Sequence, residues 1–84
     1  MNRRLEKYEV KGIRECLGLT QRQWSEMLGM SLVNYKRVEQ TGDYAINVSD
    51  SLDTKVKRKL KELNQDIDQL LEVVHARPKN GGSN

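Results

Sequence analysis

Apolar side chains recur every three or four residues over most of this 84-residue chain, which is the spacing of amphipathic helices. Residues 1 to about 7 are polar and basic, and we expect them to be frayed. A first helix is predicted next, capped at its C-terminal end by Gly18. Gly12 inside it either allows a close backbone contact or is simply tolerated. The apolar positions of this helix are Val10, Ile13, Cys16 and Leu17.

Two short helices follow, joined by the glycine-containing turn LGMS. Thr20 and Gln23 have the spacing of a capping box, which predicts the start of the second helix. Ser31 is the expected N-cap of the third helix, which ends near residues 41–42. Two short helices with such a turn are typical of a helix-turn-helix. The side chains expected to face its core are Trp24, Tyr35 and Val38.

The segment GDYAINVSD, residues 42–50, alternates apolar and polar side chains and predicts a short extended piece packed on the core. One long helix is then predicted over residues 49–77, because Pro78 disfavours helix before it. Its apolar positions have heptad spacing and are expected to complete the core and to form a dimer contact. These positions are Val56, Leu60, Leu63, Ile67, Leu70 and Val74.

Charge along this predicted helix is segregated, with lysines and arginine in its first half and carboxylates in its second half. This favours an antiparallel contact, either between two copies or with a related partner. A solvated helix folded onto its own domain is the alternative, and the basic half could also meet phosphate beside the operator. The predicted organisation is a helix-turn-helix domain over residues 1–48, the long helix over 49–77 and a flexible tail over 78–84.

The stretch LTQRQWSEMLGMSLVNYKRVEQTG carries the most specific pattern of the chain. Through it, the segment from Ile13 to Gly42 resembles the Cro/C1-type (XRE-like) helix-turn-helix family of phage and bacterial transcriptional regulators. That resemblance implies an all-α, lambda-repressor-like fold that binds operator DNA as a dimer. It also implies an ion pair between Arg14 and Glu39, for which two solvated surface charges are the alternative. The Pro-x-x-x apolar pattern that usually follows in the family is missing, so its dimerisation mode does not carry over.

A helix-turn-helix places the start of its second helix in the major groove. Arg37 suits guanine or a phosphate, and Lys36 suits either as a point charge. Leu32 and Val33 offer no hydrogen bonds, so they either contact thymine methyl groups or form a protein-contact patch. Similarity to the family assigns Gln21 to a backbone phosphate. The full set of predicted DNA contacts is Gln21, Arg22, Ser31, Leu32, Val33, Asn34, Lys36, Arg37 and Thr41.

Composition changes this interpretation little. The chain has 15 Lys and Arg against 12 Asp and Glu, a net charge of +3 that fits nucleic acid without requiring it. Arg3 and Arg4 form either a basic arm that reaches DNA or a solvated terminus. A single cysteine, Cys16, favours a reducing compartment, and no apolar run of about 20 residues occurs, so a cytoplasmic location is expected.

No catalytic set is visible, and His75 has no plausible nucleophile or metal partner in the sequence. We therefore expect neither an enzyme nor a cofactor or metal. The predicted function is a sequence-specific DNA-binding regulator, most simply a repressor of phage or mobile-element type. The alternative is a helix-turn-helix protein that acts through protein contacts, as an anti-repressor or an antitoxin does.

Overall fold

The computed structural model describes residues 3–76, and five helices account for most of this range. They are α1 (Lys7–Cys16), α2 (Gln21–Met27), α3 (Leu32–Glu39), α4 (Asp50–Glu62) and α5 (Ile67–Ala76). Since no β-strand occurs within the described residues, the all-α prediction is confirmed. The predicted flexible tail, residues 78–84, lies outside them.

The helices begin at caps that the sequence supplies. Thr20 and Gln23 form the predicted capping box at the start of α2, with both reciprocal hydrogen bonds present. The Ser31 hydroxyl accepts a hydrogen bond from the Asn34 N–H at 3.1 Å and so caps α3. Between these helices Gly29 has a φ of 69°, which a residue with a Cβ adopts only under strain. The turn between α2 and α3 is therefore specified locally.

All five helices or their flanking residues contribute to one apolar core. Trp24 and Tyr35, its largest side chains, are fully buried, and Val38 lies beside them. Leu5 is also in the core, and its backbone N–H donates to the Asp53 carboxylate at 2.8 Å. The expectation that the chain is frayed up to about residue 7 is therefore wrong for the described part of that segment. Burial of Leu5 attaches the N-terminal segment to α4.

The prediction of a single helix over residues 49–77 is wrong, because α4 ends at Glu62 and a separate helix, α5, begins at Ile67. Asn64 has a φ of 57°, the left-handed conformation that ends helices at glycine or asparagine. The N–H of Gln65 then bonds the Leu60 carbonyl at 2.9 Å. Asp66 caps α5 by accepting from the Asp68 N–H at 2.9 Å. The heptad spacing concealed these local stop and start signals.

The break changes what the heptad positions contact. Val56, Leu60 and Val74 are buried in the core of the chain itself, so they present no surface to a partner. Ile67 and Leu70 are partly buried against the same core. Only Leu63 of the predicted dimer positions is exposed, at 39%. The apolar stripe was real, but folding α5 back at Asn64 turns most of it inward.

Helix α1 packs against both α5 and α3. Gly12 makes the approach to α5 possible, because a Cβ built there would lie 2.7 Å from each Cγ of Val74. Real Cβ atoms essentially never make contacts this short. Close helix contact is therefore the correct interpretation of Gly12.

The segment after α3 differs from its prediction as a packed extended piece. Val48 is buried, whereas Tyr44 is 75% exposed and Ile46 is exposed as well. The Ala45 N–H bonds the Gly42 carbonyl at 3.2 Å, and the Ile46 N–H bonds the Arg37 carbonyl at 3.1 Å. These bonds hold a turn against the end of α3 and leave the alternating side chains of the segment without a common apolar surface.

Candidate functional site

The exposed face of α3 collects most of the predicted contact residues. Residues four apart share a side of a helix, so this face has two rows, Leu32 with Lys36 and Val33 with Arg37. Val33 is 63% exposed and Leu32 is partly covered. Lys36 and Arg37 are exposed and form no ion pair with any residue between 3 and 76. The face thus presents two free cations beside one strongly exposed apolar side chain.

The remaining predicted contacts border this face or lie on α2. Ser31 is exposed just before α3, Asn34 is exposed in its first turn, and Thr41 is exposed just after it. On α2, Arg22 is exposed and Gln21 is partly buried. Ser31 has its hydroxyl engaged as the cap of α3, so it is less available to another partner.

A buried carboxylate beneath this face fixes α3 to its neighbours. Glu39 receives two hydrogen bonds from Arg14, Nε to Oε2 at 2.8 Å and Nη2 to Oε1 at 3.2 Å, so the expected pair is present. Gln21 Nε2 donates to Oε1 at 2.9 Å, and the Tyr35 hydroxyl donates to Oε2. A further Arg14 nitrogen bonds the Leu19 carbonyl at 2.9 Å. One carboxylate therefore joins α1, α2 and α3.

The charge state of this cluster follows from its donors. Burial alone would raise the pKa of Glu39, but hydrogen bonds from Arg14, Tyr35 and Gln21 outweigh it and hold the pKa below its usual value. Burial, and then the bond to the carboxylate, raises the pKa of Tyr35. Glu39 thus stays ionised and paired, and its charge is neutralised within the cluster.

Next to the cluster is an open groove of about 370 Å³, lined by Lys11, Gln21, Lys36, Glu39 and Gln40. Lys11 was not among the sequence candidates. A signal for it existed, because Lys11 precedes Arg14 by three residues and therefore shares a side of α1 with the residue expected to reach Glu39. The groove brings a cation of α1 beside a cation of α3.

The end of α3 is held by another cation that the sequence did not single out. Lys7 Nζ donates to the carbonyls of Val38 and Gln40, each at 3.2 Å, and to that of Ile46. A cation at this end of a helix is favoured by the helix dipole. Lys7 is therefore committed to fixing α3 and the following turn against α1.

A second buried carboxylate occupies the N-terminal half of α1. Glu9 has no exposed surface, and its carboxylate is bonded by Arg3, by the Glu6 N–H at 2.8 Å and by His75 Nε2 at 2.7 Å. Arg4 contacts Asp50 at 3.1 Å. Neither arginine is a free basic arm, and His75 pairs with Glu9. No local pattern signals that pairing, because 66 positions separate the two residues.

Burial by itself would raise the pKa of Glu9. Hydrogen bonds from Arg3, from the Glu6 backbone and from His75 reverse that effect, and the pKa lies at about 2. Within residues 3–76 no group of three or more His, Cys, Asp and Glu side chains is arranged to hold a metal ion. In the same range, no helix has the length and apolar character needed to cross a bilayer.

Comparison of the chain with protein-family models, with curated proteins and with solved structures gave no match.

Proposed function

We propose that this protein is a sequence-specific DNA-binding regulator of transcription, in which α2 and α3 form a helix-turn-helix and α3 enters the major groove. The carrying observation is the exposed face of α3, with two unpaired cations on a helix fixed from below by the Glu39 cluster. A rigid helix with free cations can present side chains to base edges in one register. A repressor of phage or mobile-element type, working in the cytoplasm, fits this proposal best.

Within this proposal each part of the face has a chemical role. Arg37 donates to the O6 and N7 acceptors of guanine, and Val33 contacts a thymine methyl group. Leu32 packs beside them against the edge of the DNA major groove. Arg22, Asn34 and Thr41 lie around the rim of this face, where their side chains suit phosphate or sugar oxygens.

The experiment is selection of bound duplexes from random DNA, followed by binding measurements at several salt concentrations. The expected result is a defined sequence rich in G·C and T·A pairs, with affinity that falls steeply as salt rises. Equal affinity for all duplexes, or no binding, would contradict the proposal. A repeat spaced by about one helical turn would further support two copies acting together.

The second candidate is a protein-contact module with the same architecture. It is favoured by the 63% exposure of Val33 and the 75% exposure of Tyr44, which lies just after α3. Purification of the untagged protein from its native host, with and without nuclease treatment, separates the two. This candidate would be favoured by a stoichiometric partner protein that slows hydrogen exchange of the backbone amides around Val33.

We also propose that two copies associate, through a contact that is separate from DNA binding. The exposed surface of α4 carries Lys55, Arg58 and Lys61 together with the carboxylates of Asp50 and Glu62, whereas that of α5 carries Asp68 and Glu72. The α4 of one copy is electrostatically matched to the α5 of another. Because most of the heptad positions are buried inside the chain, such a contact would depend on Leu63, on Val73 and on these charges.

A further inference from the structure

The groove beside α3 divides the two free cations of that helix by role. Lys36 lines the groove together with Lys11 and Gln21, whereas Arg37 lies one residue further round the helix and does not line it. We propose that Lys11 and Lys36 together grip one phosphate of the DNA backbone, which leaves Arg37 as the cation of α3 that reads a base. This inference rests on the proposed DNA-binding function and adds α1 to the contact surface.

The charge balance of the groove supports an anionic occupant. Two lysine side chains line one open space, and neither forms an ion pair with a described residue. The groove also contains the carboxylate of Glu39, but Arg14 neutralises it and its side chain is only 5% exposed. The groove is therefore net positive, and an anion between the lysines would relieve their mutual repulsion.

The size of the groove and the local fold suit a phosphate on an extended polymer. Its volume is about 370 Å³, and it is open to solvent. Gln21 Nε2 is fixed on Glu39, so the amide is held at the edge of the groove in one orientation. Because α1 and α3 are joined by the Arg14–Glu39 bonds, the backbone positions that carry the two lysines are held at a fixed separation.

A clamp on the backbone has a different signature from a base contact. Phosphate contacts strengthen binding to all sequences and add to its salt dependence, whereas base contacts set sequence preference. Lys11→Gln with Lys36→Gln should therefore lower the slope of log affinity against log salt by about one unit. The bases selected from random DNA should not change. Lys11→Arg with Lys36→Arg should retain the slope, because both charges remain.

The control is Ser51→Glu with Thr54→Glu, which lowers the net charge by the same two units at exposed positions on α4 that have no assigned contact. We expect this pair to leave the slope nearly unchanged. Arg37→Gln is the complementary variant, which should reduce discrimination at one base pair on the order of tenfold to a hundredfold. Circular dichroism melts verify that all variants fold.

Three results would overturn the clamp while wild-type binding stands. They are an unchanged salt slope in the Lys11 and Lys36 variant, an equal loss of slope in the control pair, and a changed base preference after Lys36→Gln alone. Failure of the wild-type protein to bind any DNA would reject the proposed function itself.

Discussion

Glu9 and Glu39 each gather several donors around one buried carboxylate, and each ties α1 to a more distant part of the chain. Glu39 fixes α3 and the start of α2, and Glu9 fixes the N-terminal segment and α5. A carboxylate buried with its donors is costly to disturb, because removal of one partner leaves the others unpaired. These two residues therefore determine how rigidly the proposed reading face is supported.

Glu39→Gln tests the first cluster. The amide leaves the largely buried Arg14 guanidinium without its counter-charge, so we expect a loss of about 3 kcal/mol in the free energy of unfolding. Urea denaturation followed by circular dichroism measures this change. Glu26→Gln is the matched control, since Glu26 is exposed on α2 and should have an effect below about 0.5 kcal/mol. Similar stabilities of the two variants would contradict the role given to Glu39.

Glu9 makes stability depend on pH in a defined direction. Its pKa in the folded protein is about 2, below the ordinary value of 4.5 expected after unfolding. The carboxylate therefore stabilises the fold fully above about pH 4.5, and this contribution falls as pH drops towards 2. Wild type and Glu9→Gln should differ by about 2 kcal/mol at pH 7, and this difference should shrink as the pH falls from 4.5 towards 2 in urea titrations. A difference that is independent of pH would contradict this account.

At the scale of elements, packing depends on a contact between α1 and α5 that no single helix reveals. Gly12 and Val74 meet because glycine has no side chain, and the turn at Asn64 returns α5 to α1. Helix propensity opposes a glycine at this place by roughly 1 kcal/mol relative to alanine. Close packing must therefore outweigh the preference of α1 for a residue with a Cβ.

Gly12→Ala separates these two effects. In an isolated helix the change stabilises, but here the new methyl group overlaps both Cγ atoms of Val74, so we expect a net loss of about 1–3 kcal/mol in stability. The Gly12→Ala, Val74→Ala double variant should lose less than the sum of the single changes, because the truncated Val74 makes room. Thermal melts of the four proteins complete the cycle. Additive effects would mean that the two residues do not contact each other.

At the scale of the whole molecule, two of the exposed apolar side chains lie on the two surfaces that the proposals use. Val33 belongs to the α3 face, and Val73, which is 52% exposed, belongs to α5. The charged side chains of α4 and α5 belong to the same surface as Val73. The proposed DNA contact and the proposed contact between copies therefore use different surfaces, and each can be disabled without the other.

Val73→Lys should shift sedimentation equilibrium towards the monomer, because it places a cation on α5 opposite the basic α4 of the other copy. Val33→Glu changes the α3 face instead and should leave self-association intact while it abolishes DNA binding. A wild-type protein that is monomeric at all concentrations tested would refute the α4–α5 contact and leave the DNA proposal unaffected.

The sequence by itself determined the features that depend on neighbours within about four residues. The caps at Thr20 and Ser31 and the inward positions of Trp24 and Tyr35 follow from local hydrogen bonds and from helical periodicity. The break at Asn64 was also local, but the heptad spacing across it suggested continuity.

Tertiary structure decided what each face meets. Periodicity identifies an apolar stripe without identifying its partner, so most of the seam predicted for a second copy became the chain's own core. In the same way, only the fold places His75 on Glu9 and Lys11 beside Lys36, because these pairs are joined through space between separate helices. The physical reason is that the spacing of side chains along the sequence describes only the helix to which they belong. A site, in contrast, forms where side chains of several helices come together.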